Sequence, residues 1–218
     1  MCFQPWQALI ILLKPKTRGK LNASAAGKIW VLVFMVGIVV WRVWETFHKQ
    51  GSARGQTTML WSFYALFALS CVVFGGTVLE FYLVDRPFHP GVAWGGVVLW
   101  GAANLIRAIA IRTLGRFWSL HVEIREQHDF VRDGPYQYVR HPAYLSFVLE
   151  HIAVPMVGNA WWTLTIVVLV YVPLILFRIK QEEIALVAKF GKTYRDYQRQ
   201  VGALWPKLRD AGRRGDLC

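Results

Sequence analysis

The chain has 218 residues, of which 55% are hydrophobic and 11 are tryptophan. This composition excludes an ordinary soluble domain and is typical of a protein embedded in a membrane. The formal net charge of +12 does not indicate nucleic-acid binding, because the sequence has no soluble domain with a basic stripe and interleaved aromatic residues. In a membrane protein, basic residues more often mark the cytoplasmic side and contact anionic lipid headgroups.

Residues 1–28 are predicted to form an N-terminal segment at the membrane interface. Its stretch "FQPWQALIILLK" has a short apolar core and lacks the charged start and small-residue cleavage site of a secretory signal peptide. Three apolar runs follow within residues 29–111, each close to the roughly 20 residues that cross a bilayer. They extend from Ile29 to Trp44, from Met59 to Val84 and from Val92 to Ile111.

Two further apolar runs, from Tyr144 to Val157 and from Trp161 to Phe177, are separated by a Gly-Asn turn and predict a helical hairpin. The first leg is short, because at 1.5 Å per residue it reaches about 21 Å, against a hydrocarbon core of about 30 Å. We therefore expect an all-α integral membrane protein with about five transmembrane helices, including this C-terminal hairpin. A C-terminal amphipathic helix with a break at Gly191 is expected next, and residues 207–218 are expected to form a flexible tail.

The distribution of lysine and arginine predicts which side of the membrane carries the polar loop. If the first three runs cross and the last two form a hairpin, residues 112–142 and the C-terminal tail lie on the side with most of the basic residues. The positive-inside rule places this side in the cytoplasm. The basic segment from Lys14 to Lys28 then falls on the opposite side, so the orientation of the first helix stays open.

The loop before the hairpin ends in the stretch "RDGPYQYVRHPAYLSF", which is rich in aromatic and basic residues. Pro142 suits the first position of a helix, so one interpretation is simply a helix start packed by the loop. In that case Arg140 and His141 stand at a helix N-terminus, where positive side chains oppose the helix dipole. Such a position favours an anionic or electron-rich ligand.

Arg178 and Glu182 are four residues apart and share one face of a helix. One is able to bind a carboxylate and the other an ammonium group, and the alternative is an ordinary ion pair at the membrane boundary. Ionisable residues inside the apolar runs are functional candidates by default, although snorkelling or a structural pair explains Arg107 and Glu150 equally well. The candidates are Glu80, Arg107, Glu150 and His151.

No metal site is expected. His121 and His128 are seven residues apart, but no cysteine or HExxH partner completes a ligand set. The three cysteines show no metal-binding spacing.

Three sequence patterns together point to a known family. They are H-x-x-V-x-x-G-x-Y, R-H-P-x-Y and E-E-x-x-L-x-x-x-F-G-x-x-Y-x-x-Y, and they occur in this order around the predicted hairpin. Over roughly residues 115 to 206 the chain resembles the isoprenylcysteine carboxyl methyltransferases, which are integral membrane enzymes. The resemblance implies a methyltransferase core over residues 112–206 that binds S-adenosylmethionine between the loop and the helix after the hairpin. No G-x-G-x-x-G motif of a Rossmann fold follows a strand pattern.

The resemblance also implies roles for individual residues. The expected cofactor-binding residues are His128, Asp129, Phe130, Val131, Tyr136, His141, Pro142, Ala143, Tyr144 and Glu182. Glu182 is expected to hold the methionine ammonium of the cofactor. Arg178 is expected to contact the acceptor, and Arg140 to add positive charge near it, which makes these two the catalytic candidates.

The resemblance implies a lipophilic methyl acceptor that enters from the bilayer, most simply the carboxylate of an isoprenylcysteine-like molecule. Alternatives are N-methylation of a phospholipid or another amine, an NADPH-dependent sterol or enone reductase in which Tyr136 or Tyr138 donates a proton, and a non-catalytic membrane protein. The sequence leaves open the acceptor and the oligomeric state. It also leaves open the roles of Glu150 and His151, which stand where the family usually has apolar or small residues.

Overall fold

A computed structural model of the chain describes residues 18–48, 56–58, 60–84, 87–115, 122–124 and 131–207. Helices make up most of these residues, which confirms the predicted all-α class. The helices are α1 Arg18–His48, α2 Leu60–Leu83, α3 Pro90–Leu114, α4 Pro142–Gly158, α5 Trp161–Phe190 and α6 Lys192–Gln200. Two three-residue strands, β1 Gln56–Thr58 and β2 Val122–Ile124, pair antiparallel, and a 3₁₀ turn Gly134–Gln137 precedes α4.

Three of the described helices, α2, α3 and α5, are long and apolar enough to cross a membrane. The sequence predicted about five crossing helices. Helix α4 is apolar but has only 17 residues, as expected for a short first leg of the hairpin. Helix α1 has 31 residues and contains the apolar run from Ile29 to Trp44.

The hairpin of α4 and α5 is present as predicted. Helix α4 ends at Asn159, which has a left-handed backbone conformation with φ 52°, and α5 begins two residues later. The carboxylate of Glu80 on α2 binds this beginning: it accepts hydrogen bonds from the main-chain N–H of Trp162 at 2.9 Å and of Thr163 at 2.8 Å. These are otherwise unpaired donors at the positive end of a helix. Glu80 is therefore explained as a helix cap.

Helix α5 is one continuous helix of 30 residues, where the sequence indicated a membrane leg followed by a separate amphipathic helix. It contains a π-helical turn at Val167–Tyr171, just before Pro173. Proline lacks an N–H and its ring clashes with the carbonyl four residues earlier, so a wider turn at this point accommodates it. The helix ends at Gly191, with φ 57°, which is the break that the sequence predicted.

Helices α3 and α4 pack closely because small residues of α3 face α4. A Cβ atom at Gly96 would lie 2.8 Å from the carbonyl oxygen of Ala153 and 2.9 Å from the main-chain nitrogen of Val157. Ala103 and Ala110 of α3 are fully buried as well. Small residues let helix backbones approach in a membrane, where van der Waals packing drives helix association.

We predict that Gly96→Ala lowers the stability of the protein by about 1–3 kcal/mol, because the added methyl group overpacks a rigid main-chain contact. The matched control is Gly101→Ala in the same helix, where no atom lies within 4 Å of the added Cβ. Thermal unfolding in detergent compares the two variants. Equal unfolding temperatures for both would contradict the close approach at Gly96.

Candidate active site

The residues predicted to be functional converge at the N-terminal end of α4. Pro142 occupies the first turn of this helix, as the sequence indicated, and His141 is its N-cap with φ −127° and ψ 62°. Three parts of the chain pack around this end: the loop that leads to it, the C-terminal half of α5, and the segment 201–204 after α6. This arrangement brings together residues that are more than 40 positions apart in the sequence.

Arg178, Tyr144 and Glu182 form a hydrogen-bonded chain at the centre of this site. The Nε of Arg178 donates to the Tyr144 hydroxyl at 2.9 Å, and this hydroxyl donates to the Glu182 carboxylate at 2.8 Å. The Arg178 guanidinium also donates to Ser62 Oγ at 3.2 Å and is 4% exposed. The two charged residues that the sequence placed on one helical face are thus linked through a phenol from another helix.

Aromatic hydroxyl groups surround Glu182. Burial raises the pKa of the Tyr136 phenol well above its usual value, and the negative charge of Glu182 raises it further. Burial also raises the pKa of Tyr194, as do the nearby charges of Glu183 and Glu182. These two phenols therefore stay protonated at neutral pH and keep a hydrogen to donate.

The segment after α6 returns to the loop and fixes the approach to α4. The main-chain N–H of Arg140 donates to the carbonyl of Gly202 at 2.8 Å, and that of His141 donates to the carbonyl of Ala203 at 3.0 Å. The Tyr197 hydroxyl donates to the main-chain carbonyl of Tyr136, and burial raises the pKa of Tyr197 to about 12. The C-terminal part of the chain is therefore part of the site.

Glu183 joins three of these elements and was not singled out from the sequence. It accepts hydrogen bonds from Arg140 Nε at 2.8 Å, from His141 Nε2 at 3.1 Å and from Gln198 Nε2 at 3.0 Å. Arg140 also donates to the carbonyls of Gln198 and Val201. The E-E pair of the third sequence pattern contained this residue, but only its first glutamate received a role.

The remaining predicted cofactor residues fall into two groups. Val131 and Ala143 are partly buried beside the site, and Pro142 is fully buried. His128, Asp129 and Phe130 lie outside the described residues, so their predicted roles stay predictions. Among the residues that the structure describes, no group of three or more histidine, cysteine or acidic side chains is placed to hold a metal ion.

A second charged cluster lies farther along α4. Glu150 is fully buried and accepts a hydrogen bond from Arg107 of α3 at 2.8 Å, and it also pairs with Arg42 of α1. The guanidinium groups of Arg42 and Arg107 lie 5.8 Å and 5.9 Å from the centroid of the Phe147 ring. One carboxylate therefore connects three helices, and Arg107 and Glu150 have the structural pairing that the sequence left open.

His151 follows Glu150 in α4, and it packs next to this cluster. Its ring stacks on Tyr171 with centroids 3.8 Å apart, and its Nε2 lies 2.8 Å from Ser70 Oγ. Tyr171 belongs to the π-helical turn of α5, so the wider turn presents its ring to α4. His151 thereby connects α2, α4 and α5.

Comparisons with known proteins agree with this architecture. A sequence model described as the isoprenylcysteine carboxyl methyltransferase family matches residues 96–188. The chain is 31% identical over 134 residues to protein-S-isoprenylcysteine O-methyltransferase B of Arabidopsis thaliana, covering 57% of this chain and 67% of the relative. The chain belongs to the isoprenylcysteine carboxyl methyltransferase family. It is thus a membrane methyltransferase.

Two further matches extend the comparison beyond this region. Protein-S-isoprenylcysteine O-methyltransferase of Dictyostelium discoideum is 23% identical over 190 residues, covering 78% of this chain and 74% of the relative. The solved structure of the eukaryotic intramembrane Ras methyltransferase ICMT matches with a TM-score of 0.55 at 24% identity. That match covers 65% of this chain and 52% of the solved chain, and it shows a shared fold.

We predict that Glu150→Leu lowers the free energy of unfolding by about 3–5 kcal/mol, because it leaves two arginines without the buried carboxylate that they share. Asp196→Asn is the control, since the Asp196 side chain is 43% exposed and pairs only loosely with Arg199 at 3.4 Å. Thermal unfolding in detergent measures both variants. An unfolding temperature for Glu150→Leu as high as that of the control would refute the stabilising role of the cluster.

Proposed function

We propose that the protein transfers a methyl group from S-adenosylmethionine to an anionic group of a lipophilic acceptor, most simply the carboxylate of an isoprenylcysteine-like molecule. The observation that carries this proposal is the chain from Arg178 through Tyr144 to Glu182. It places a buried cation and a carboxylate side by side and joins them through one phenol. A reaction between an anion and a cationic methyl donor needs this pair of opposite charges.

The residues around Glu182 suit the methyl donor. Glu182 is partly buried, and among the described residues its hydrogen-bond partner is Tyr144. A carboxylate beside aromatic rings binds ammonium and sulfonium groups through charge pairing and cation–π attraction. When bound, S-adenosylmethionine supplies a methyl group on a positively charged sulfur. Tyr136, His141 and the loop residues that the sequence singled out are proposed to line the same pocket.

Arg178 is proposed to bind the acceptor. Its guanidinium is buried, so its attraction to an anion is little screened by water. An acceptor carboxylate forms an oxygen–carbon bond with the methyl group while the carbon–sulfur bond breaks and its electron pair stays on sulfur. The carboxylate is already ionised at neutral pH, so no proton has to be removed. A site whose phenols stay protonated matches this requirement.

Arg140 is proposed to act by positioning. Its guanidinium binds Glu183 and two main-chain carbonyls, and so holds the start of α4 against the C-terminal segment. The expectation that Arg140 also adds positive charge near the acceptor stays a prediction. Because Glu183 neutralises the charge of Arg140, Arg178 is the main candidate for contact with the acceptor.

The alternative functions fit this geometry less well. N-methylation places new positive charge on the acceptor, and a buried arginine at the acceptor position opposes it. A reductase requires a pocket for NADPH, which the tyrosines Tyr136 and Tyr138 alone do not supply. We propose that the site faces the cytoplasm, where the methyl donor is available and where the basic loops of the chain are predicted to lie.

Calorimetric titration of the purified protein with S-adenosylhomocysteine, and in parallel with NADPH, tests the donor site. We predict saturable binding of S-adenosylhomocysteine and an affinity about tenfold or more lower in Glu182→Gln, since a charged hydrogen bond contributes about 1.5–3 kcal/mol. Asp196→Asn on α6 should bind as the unmodified protein does. Binding of NADPH alone, or equal affinity in Glu182→Gln, would refute the assignment.

A further inference from the structure

We propose that Glu183 is a positioning residue of the donor site: its carboxylate holds the ring hydrogen of His141 on Nε2 and keeps Nδ1 as a hydrogen-bond acceptor for the bound donor. This inference rests on the proposed function. It assigns a task to a residue for which no role was predicted, the second glutamate of the E-E pair.

The contacts of Glu183 with described residues point toward positioning. One carboxylate oxygen, Oε1, lies 2.8 Å from Arg140 Nε, 2.6 Å from Arg140 Nη2 and 3.1 Å from His141 Nε2. The other oxygen, Oε2, accepts from Gln198 Nε2 at 3.0 Å. The carboxylate is thereby fixed from two directions, and the Glu183 side chain is only 17% exposed.

The chemistry of these partners determines the histidine tautomer. An ionised carboxylate only accepts hydrogen bonds, so the ring nitrogen of His141 that faces it must carry the hydrogen. In the neutral imidazole the hydrogen is then on Nε2, and Nδ1 keeps its lone pair. Carboxylates orient histidine rings in the same way when they lie behind a functional imidazole.

Within the described part of the chain, the imidazole of His141 has Glu183 as its hydrogen-bond partner, which leaves Nδ1 available. His141 is 5% exposed, its main-chain N–H is held by Ala203, and its ring centroid lies 5.7 Å from that of Tyr144. An acceptor on a residue this little exposed, beside Tyr144, is suited to a hydroxyl or amino group of a nucleoside.

A purely structural role for Glu183, in which it only neutralises Arg140, makes different predictions. Arg140 has two main-chain carbonyl partners besides Glu183, so it retains much of its environment when the carboxylate changes. Leucine at position 183 has a similar size but no acceptor, so it no longer fixes the hydrogen of His141 on Nε2. Glutamine is the matched control, because its carbonyl oxygen is able to occupy the position of Oε1, which faces both Arg140 and His141.

The first test is the tautomer itself, read from nitrogen-15 NMR shifts of histidine-labelled protein in detergent, with His141 assigned by its absence in His141→Asn. We expect the Nε2–H form in the unmodified protein and in Glu183→Gln, and a mixture or the Nδ1–H form in Glu183→Leu. The Nδ1–H form in the unmodified protein, or the same tautomer in the unmodified protein and in Glu183→Leu, would overturn the proposal. This test uses no ligand, so it stands even if the donor assignment fails.

The second test is a double-mutant cycle on the affinity for S-adenosylhomocysteine. Asparagine at position 141 places a carbonyl oxygen near the position of Nδ1, and that oxygen does not depend on Glu183. We expect Glu183→Leu to lower the affinity about tenfold in the unmodified background, which is about 1.4 kcal/mol, and to change it little in the His141→Asn background.

Additive effects of the two substitutions would contradict the proposal and show that Glu183 acts independently of His141. An affinity unchanged in Glu183→Leu, with a lower unfolding temperature, would show a structural role alone. Asp196→Asn, on the same helix as Gln198 but exposed, serves as the control and should leave the tautomer and the affinity unchanged. If the unmodified protein did not bind S-adenosylhomocysteine, the proposed function would fail, and the tautomer measurement would still decide whether Glu183 fixes His141.

Discussion

The site depends on the burial of the Arg178 guanidinium at the interface of α2, α4 and α5. A charge in this environment is stable only when hydrogen-bond acceptors replace its water, because the cost of moving an isolated ion out of water is large. Ser62 and Tyr144 provide two of these acceptors. Since Tyr144 also donates to Glu182, the same phenol fixes the position of the cation and of the carboxylate. The rest of the fold brings α2, α4 and α5 together so that these side chains meet.

Two features of the chain support this arrangement from either side. Pro142 begins α4 two residues before Tyr144, so the phenol is held within the first turn after a fixed helix start. On the other side, α5 continues without interruption past the apolar region to Phe190, which keeps Arg178 and Glu182 on one rigid face. The Arg140 and Glu183 contacts then hold the C-terminal segment over the end of the hairpin.

Features of the fold that follow local sequence rules were predicted, and features of the site that depend on distant contacts were not. The apolar runs, the Pro142 helix start and the Gly191 break were read correctly because each depends on a few neighbouring residues. The sequence also placed Arg178 and Glu182 on one face. It gave no indication that Tyr144, more than 30 residues earlier, joins them. The role of Glu183 was missed for the same reason, since its partners come from the loop and from α6.

The charged residues within the apolar runs show the same limit. Composition alone presented Glu80, Arg107, Glu150 and His151 as a single class of candidates. The structure separates them: Glu80 caps α5, Glu150 pairs with arginines of α1 and α3, and His151 stacks on Tyr171. Phe147 lies between the Glu150 cluster and Tyr144 on α4, with its ring centroid 6.4 Å from that of Tyr144. Helix α4 thus carries the candidate site at its beginning and a structural ion cluster near its middle.

Methyl transfer to a defined acceptor tests the proposed reaction directly. The purified protein in lipid nanodiscs is incubated with methyl-labelled S-adenosylmethionine and an S-prenylated cysteine that has a free carboxylate. We predict a labelled methyl ester, recognised by release of labelled methanol in base, and its loss in Arg178→Met when the donor still binds. Full activity in Arg178→Met, or label that appears only in a base-stable product, would refute the proposed reaction.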